Sequence, residues 1–148
     1  MTELSLQDVV NAGELVDVRI LSFSGGMADR RDDLEEDDVE QDLQAMVGQR
    51  PGIIEVRVHA SIRVRAAEYT VEAATQLHHD PDLDISEDLA RDFAERVGVM
   101  AIYPYVREAV QSACTRLRQR VVVLPLLRAG DLSLAPKEAD STADSADA

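Results

Sequence analysis

The sequence lacks residues and segments on which several classes of protein depend. Its 148 residues contain no tryptophan, and aromatic residues make up only 3%, so the core must be built mainly from Val, Leu, Ile and Ala. The single cysteine, Cys114, cannot form an internal disulfide. No apolar run approaches the roughly 20 residues that a membrane helix requires, and the N-terminus is acidic where a signal peptide is basic. We therefore expect a cytoplasmic protein without membrane insertion.

Positive charge is also scarce. There are 15 Lys and Arg against 29 Asp and Glu, which gives a formal net charge of -14. Residues 29–42 contain nine acidic residues against two arginines, whereas residues 43–134 are almost neutral. Because phosphate binding requires clustered Lys and Arg, nucleic acid is a poor partner for this chain. The acidic segment is either simply solvated or attracts a basic partner.

Motifs for catalysis or metal binding are missing as well. Gly25-Gly26 lacks the Gly-x-Gly-x-x-Gly or Lys-Ser/Thr context of a nucleotide site. His78 and His79 lie beside aspartates, but without helical i,i+4 spacing or a zinc-type pattern. Cys114 lies on the apolar stripe of a predicted helix, as a small core residue does. We expect no enzyme, no metal site and no cofactor.

The clearest local pattern is a strict alternation of apolar and polar residues. In residues 54–64 the even positions are apolar and the odd positions polar, which is typical of an antiparallel strand with one buried face. After a turn or bulge at residues 66–68 the apolar positions become odd, and a second strand runs to about Leu77. Residues 15–24 alternate too and predict an earlier strand. Residues 38–47 fit both a helix and a strand, and periodicity does not decide between them.

Two helices are predicted after an acidic loop at residues 78–84. Asp84 with Glu87 three residues later resembles a capping box, and Ser86 is a competing N-cap. Apolar residues then repeat at i, i+4 and i+8, and Gly98 ends the first helix. A short helix at residues 5–12 is also expected.

Pro104 suits the first turn of the second helix. That helix carries one apolar stripe, made of Val106, Ala109, Val110, Ala113, Cys114 and Leu117. Residues 121–127 are continuously apolar but contain Pro125, so they are expected to be extended. From residue 133 to 148 the chain reads as a disordered acidic tail, which leaves residues 1–132 as a single domain.

Strands followed by two helices predict an α+β fold. A thin sheet with helices on one side leaves apolar surface that a chain of this length does not cover alone, so oligomerisation is expected.

A motif near the second predicted helix resembles a known family. The hexapeptide YPYVRE at residues 103–108, followed by a helix and LPL at residues 124–126, resembles the signature region of the SecB chaperones. YTVEA at residues 69–73 resembles the family's aromatic-x-x-Glu-Val strand. The resemblance covers residues 53–127.

The resemblance implies a SecB-like fold, with a four-stranded antiparallel sheet, two C-terminal helices on one side, and a fourth strand at residues 38–47. It implies a homotetramer, a dimer of dimers, that holds unfolded polypeptides in apolar grooves without ATP. In the family, the clients are secretory precursors handed to the translocase motor protein, or antitoxins of toxin–antitoxin systems. A non-chaperone oligomerisation or adaptor module is the alternative.

Candidate contact residues follow from the motif, the strands and the apolar segment after the second helix. For each of these candidates the alternative is a structural role only, in packing or at the protein surface. The client-binding candidates are Tyr103, Tyr105, Leu124, Leu126, Val58 and Ile62, and the motor-contact candidate is Glu72.

Overall fold

The computed structural model describes residues 4–125. The predicted tail at residues 133–148 and the candidate Leu126 lie outside the described residues. The elements are α1 (Leu6–Ala12), β1 (Glu14–Leu15), β2 (Arg19–Met27), β3 (Glu40–Arg50), β4 (Ile53–Arg63), β5 (Ala67–His78), α2 (Glu87–Phe93), a π-helical turn (Ala94–Gly98) and α3 (Val99–Arg116).

The strands form one antiparallel sheet. Strands β3, β4 and β5 are consecutive neighbours, and both β1 and β2 pair with β5 on its other side. The sheet therefore has four strand positions, with the first strand lying beside the last as in a Greek key. With its helices on one face, this is the α+β architecture that the sequence predicts.

The ambiguous residues 38–47 lie mainly in β3. Their alternation, and not their helical spacing, matches the structure: Ala45 lies opposite Val58 and is fully buried, while Gln44 and Met46 point away from the core. Pairing with the long neighbour β4 decided between two patterns that were equally consistent with the local sequence.

The first predicted strand, residues 15–24, is interrupted in the structure. Residues 16–18 belong to no strand, and pairing resumes only at Arg19. The break is anchored by Thr75, whose hydroxyl donates to the Val16 carbonyl oxygen at 2.7 Å, and by the Val16 amide, which donates to the Gln76 carbonyl oxygen at 2.9 Å.

Gly25, which directly follows the strand predicted at residues 15–24, and Gly98, which was expected to end a helix, both lie where the structure continues through them. A Cβ on Gly25 would come within 3.0 Å of Tyr69 Cδ1 and 3.3 Å of Ala113 Cβ, so β2 runs through this glycine beneath α3. A Cβ on Gly98 would come within 2.6 Å of Val56 Cγ2. Both glycines allow close packing, and neither acts as a stop.

The helical region is continuous. Ser86, and not the Asp84 capping box, caps α2 by accepting a hydrogen bond from the Leu89 amide at 3.1 Å. The chain then passes through the π-helical turn into α3 without a break, so the prediction that the first helix stops at Gly98 was wrong. Pro104 lies inside α3 instead of opening it. Burial of the surrounding helix face outweighs the local preferences of Gly and Pro.

The core lies between the sheet and α3. The even positions of β4 face the buried side of α3, so these two apolar surfaces cover each other within one chain. These two surfaces are therefore not left uncovered, and oligomerisation stays a prediction. The edge strand β2 exposes four large apolar residues, namely Ile20, Leu21, Phe23 and Met27. Among residues 4–125 no helix is long and apolar enough to cross a membrane.

Candidate functional site

A cavity of about 650 Å³ opens beside the acidic loop that connects β2 to β3. The loop forms one wall, the β4–β5 turn lies at its base, and residues 119–123 form the opposite wall. The lining residues are Arg30, Glu36, Asp37, Val39, Val64, Arg65, Ala66, Gln119, Arg120, Val121, Val122 and Val123. The cavity thus combines valine side chains with charges of both signs.

Arginine side chains hold the acidic loop in place. The Arg31 guanidinium donates to both Asp33 and Glu40, at 2.7 and 3.0 Å for the two Glu40 oxygens, and Arg63 donates to the Asp29 carbonyl oxygen. The hydrogen bonds from Arg31 hold the pKa of Asp33 below its ordinary value. Leu34 is buried at the centre of the loop. Four of the nine acidic residues of the segment form ion pairs with arginine, namely Asp32, Asp33, Asp37 and Glu40.

The loop also bonds to the β4–β5 turn through its backbone. The amide of Ala28 donates to the Ala66 carbonyl oxygen, and the amide of Arg31 donates to the Arg65 carbonyl oxygen, each at 2.9 Å. These bonds fix the base of the cavity. The rest of the loop is held by side-chain pairs and by two local backbone bonds, from the Leu34 amide to the Arg31 carbonyl oxygen at 3.2 Å and from the Asp38 amide to the Glu35 carbonyl oxygen at 3.1 Å.

The opposite wall is residues 119–125, here called the exit segment because it leaves the end of α3. Its burial alternates: Val122 and Leu124 are 7% and 1% exposed, whereas Val121 and Val123 are 50% and 69% exposed. Within the described part of the chain, the backbone of residues 120–124 makes no hydrogen bond. The exit segment is therefore extended but is not a strand of the sheet.

Two polar contacts tether the exit segment. Arg120 Nη1 lies 2.6 Å from Asp37 Oδ1 with both side chains exposed, and the Tyr103 hydroxyl donates to the Pro125 carbonyl oxygen. Burying Val122 and Leu124 contributes about 1.5–3 kcal/mol each, and an exposed ion pair adds about 0–1 kcal/mol. The exit segment is therefore held by few contacts.

The two tyrosines of the signature hexapeptide have different environments. Tyr103 is buried, and its hydroxyl accepts a 3.5 Å hydrogen bond from Gln41 in addition to holding Pro125. Tyr105 is 43% exposed. Neither tyrosine lines the cavity. Tyr103 positions the exit segment, and client contact by Tyr105 stays a prediction.

The aliphatic candidates lie largely inside the protein. Val58 and Ile62 are each 1% exposed, within the core between β4 and the helices. Leu124 is buried on the inner side of the exit segment. In this conformation these three side chains serve packing, and client contact by any of them stays an untested prediction.

Glu72 lies on the other face of the sheet, away from the helices. Its carboxylate is 3.7 Å from the Arg57 guanidinium, which also donates to Glu55 at 2.9 Å. Glu72 does not line the cavity, and motor contact at Glu72 stays a prediction. The part of the chain that the structure describes contains no group of three or more His, Cys, Asp or Glu arranged to hold a metal ion.

Sequence reasoning missed the residues that define the cavity. Val39 and Val64 sit at element ends, and Val121 and Val123 were assigned only to an extended apolar run. One available signal was the alternation of charge, because Arg63 and Arg65 project from β4 and its turn toward the acidic loop.

Sequence comparison identifies the family. The chain is 34% identical over 129 residues to the SecB-like chaperone SmegB of Mycolicibacterium smegmatis, and the match covers 87% of this chain and 85% of SmegB. This chain belongs to the SecB-like chaperone family. No family model matches it.

A solved structure supports the same fold for this SecB-like chain. The Mycobacterium tuberculosis SecB-like chaperone Rv1957, in complex with a ChAD peptide from the Rv1956 HigA1 antitoxin, aligns with a TM-score of 0.67 and 22% identity. The alignment covers 80% of this chain and 93% of Rv1957. The α+β SecB-like fold is thus confirmed, and both relatives are named chaperones.

Proposed function

We propose that this SecB-like protein is an ATP-independent holdase of the cytoplasm that binds unfolded polypeptides in the cavity between the acidic loop and the exit segment. The observation that carries the proposal is the exposure of Val121 and Val123 on a cavity of about 650 Å³. A chaperone without sequence specificity depends on non-directional burial of apolar groups, and this wall provides it.

The backbone of the exit segment supports an extended client. Since residues 120–124 make no backbone hydrogen bond within the described chain, their N–H and C=O groups are available to a peptide that adds alongside them as a strand. Main-chain bonding of this kind is independent of side-chain sequence. Arg30, Arg65 and Glu36 at the cavity accommodate clients of either charge.

Two client classes fit this site. Unfolded secretory precursors are one, with the translocase motor protein binding at Glu72 on the opposite sheet face, where it does not compete with a client in the cavity. An antitoxin segment is the second, because the solved relative Rv1957 is in complex with a peptide from an antitoxin. A pull-down in which each class competes for the same labelled protein distinguishes them.

We also propose that the protein is a homo-oligomer, a dimer of dimers, assembled through β2. This edge strand exposes Ile20, Leu21, Phe23 and Met27, and pairing between exposed edges is a common route to association. Light scattering should show a dimer or tetramer that Ile20→Lys with Phe23→Lys disrupts. A monomer at micromolar concentration, unchanged on concentration, would contradict the proposal.

Suppression of aggregation tests the holdase activity. The wild-type protein, without nucleotide, should keep a chemically unfolded client soluble. Replacing Val121 and Val123 with Ser should weaken client binding by about 1–3 kcal/mol, the scale for one or two aliphatic side chains. Val10→Ser, which removes an exposed valine of α1 outside the cavity, is the matched control. Equal suppression of aggregation by the wild type and both variants would show that the client binds elsewhere. No suppression by the wild type would refute the holdase function.

A further inference from the structure

The exit segment is bound to its own chain in the way that an extended peptide binds a groove. Its side chains insert at every second position, with Val122 and Leu124 buried and Val121 and Val123 exposed. It makes no backbone hydrogen bond from residue 120 to 124 within the described chain. Beyond the Gln119 amide, which donates to the Cys114 carbonyl oxygen at 2.9 Å, its attachment therefore depends on contacts that involve side chains.

We propose that residues 120–125 are a displaceable internal occupant of the client site. A client segment that is extended, with aliphatic side chains two residues apart, takes the positions of Val122 and Leu124 as the exit segment leaves. This rests on the proposed holdase function and adds its regulation. Without a client, the exit segment occupies the apolar positions that bind clients, and a client displaces it.

The attachments of the exit segment allow such an exchange. The Arg120–Asp37 pair lies at the surface, where exposed ion pairs are weak and are screened by salt. At the other end, the Tyr103 hydroxyl donates a single hydrogen bond to the Pro125 carbonyl oxygen. The cavity runs along the exposed side of the segment, so a client can begin to pair there before the segment is released.

Binding of the exit segment to the apolar client positions also lowers the apparent affinity for clients. If these positions are free in only a fraction of the molecules, the observed dissociation constant rises by the inverse of that fraction. The internal occupant therefore prevents weakly apolar chains from binding and leaves less apolar surface exposed on the empty protein.

Thiol accessibility tests the exchange in the full-length protein. Val122→Cys and Val123→Cys are each made in a Cys114→Ala background, since Cys114 is the single native cysteine and is buried. The alkylation rate is measured with and without reduced, carboxymethylated α-lactalbumin as the unfolded probe. We expect the probe to accelerate modification at position 122 several-fold and not to slow it at position 123, because both side chains leave with the exit segment.

The possible outcomes separate the two claims. Protection of both cysteines by bound probe would show that the exit segment is a fixed wall, which would overturn the inference while leaving the holdase function intact. Absence of probe binding to the wild type would overturn the holdase function and the inference together.

A second test leaves the buried residues unchanged. Arg120→Glu and Asp37→Arg each break the exposed tether but change the charge of the cavity in opposite directions. Both should tighten probe binding about two- to five-fold, the scale of an exposed ion pair, and the combined charge swap should restore the wild-type value. Opposite effects of the two single variants would indicate direct electrostatic contact with the probe and would contradict release of the segment.

Discussion

Two regions of this protein are held together by different forces. The region between the sheet and α3 is an aliphatic core in which the even positions of β4 are sealed by the helix. The cavity region, formed by the acidic loop and the exit segment, depends on arginine–carboxylate pairs such as Arg31 with Glu40 and Arg120 with Asp37, and on a few inserted side chains.

The core therefore provides stability, whereas the cavity region can change its conformation. Close packing allows only one arrangement of the core, whereas exposed ion pairs and unpaired backbone can rearrange at low cost. The proposed holdase function requires both properties, because a rigid scaffold must present a surface that fits many chains. The following predictions test whether the two regions are as independent as this account requires.

The largest effect is expected in the core. Ile62→Ala removes a fully buried side chain from β4 and should lower the free energy of unfolding by about 2–5 kcal/mol. Val123→Ala, on the exposed side of the exit segment, should change it by less than about 0.5 kcal/mol. Denaturant titration measures both. A stable Ile62→Ala protein that binds clients poorly would instead place Ile62 in the client surface.

The contact between the π-helical turn and the sheet should give the next largest effect. Gly98→Ala places a methyl group against Val56 and should destabilise the protein by about 1–3 kcal/mol, although alanine is the better helix former. Gly48→Ala is the control, since a Cβ there meets nothing within 4 Å. Equal melting temperatures for the two variants would show that the sheet and helix pack more loosely than described.

The core and the cavity region also differ in how well the sequence predicts them. Alternation in residues 54–64 identified β4, and the stripe on α3 identified its partner face, because core packing leaves a periodic pattern. The prediction that a helix ends at Gly98 was wrong because the glycine is needed for the close approach of Val56, which is distant in sequence. The cavity was missed for a similar reason: Val39 and Val123 show no shared pattern, and Arg63, which donates to the acidic loop, comes from another strand.

The smallest effect is expected from the acidic loop on acidification. Since Arg31 lowers the pKa of Asp33 in the folded protein, the Asp33 contribution to stability is fully present above the ordinary carboxyl pKa of about 3.9 and is lost as the pH falls through the lower folded value. The difference in melting temperature between wild type and Arg31→Ala should therefore shrink below about pH 4. A difference that is constant from neutral pH to about pH 3 would contradict the pairing.

The location of the bound client tests the central claim most directly. A photo-reactive benzophenone side chain is placed either at position 123, on the cavity wall, or at position 44, which is exposed on the helix-free face of the sheet. After irradiation with a labelled unfolded polypeptide, without nucleotide, the account predicts a strong cross-link from position 123 and little from position 44. A cross-link from position 44 with none from position 123 would contradict it.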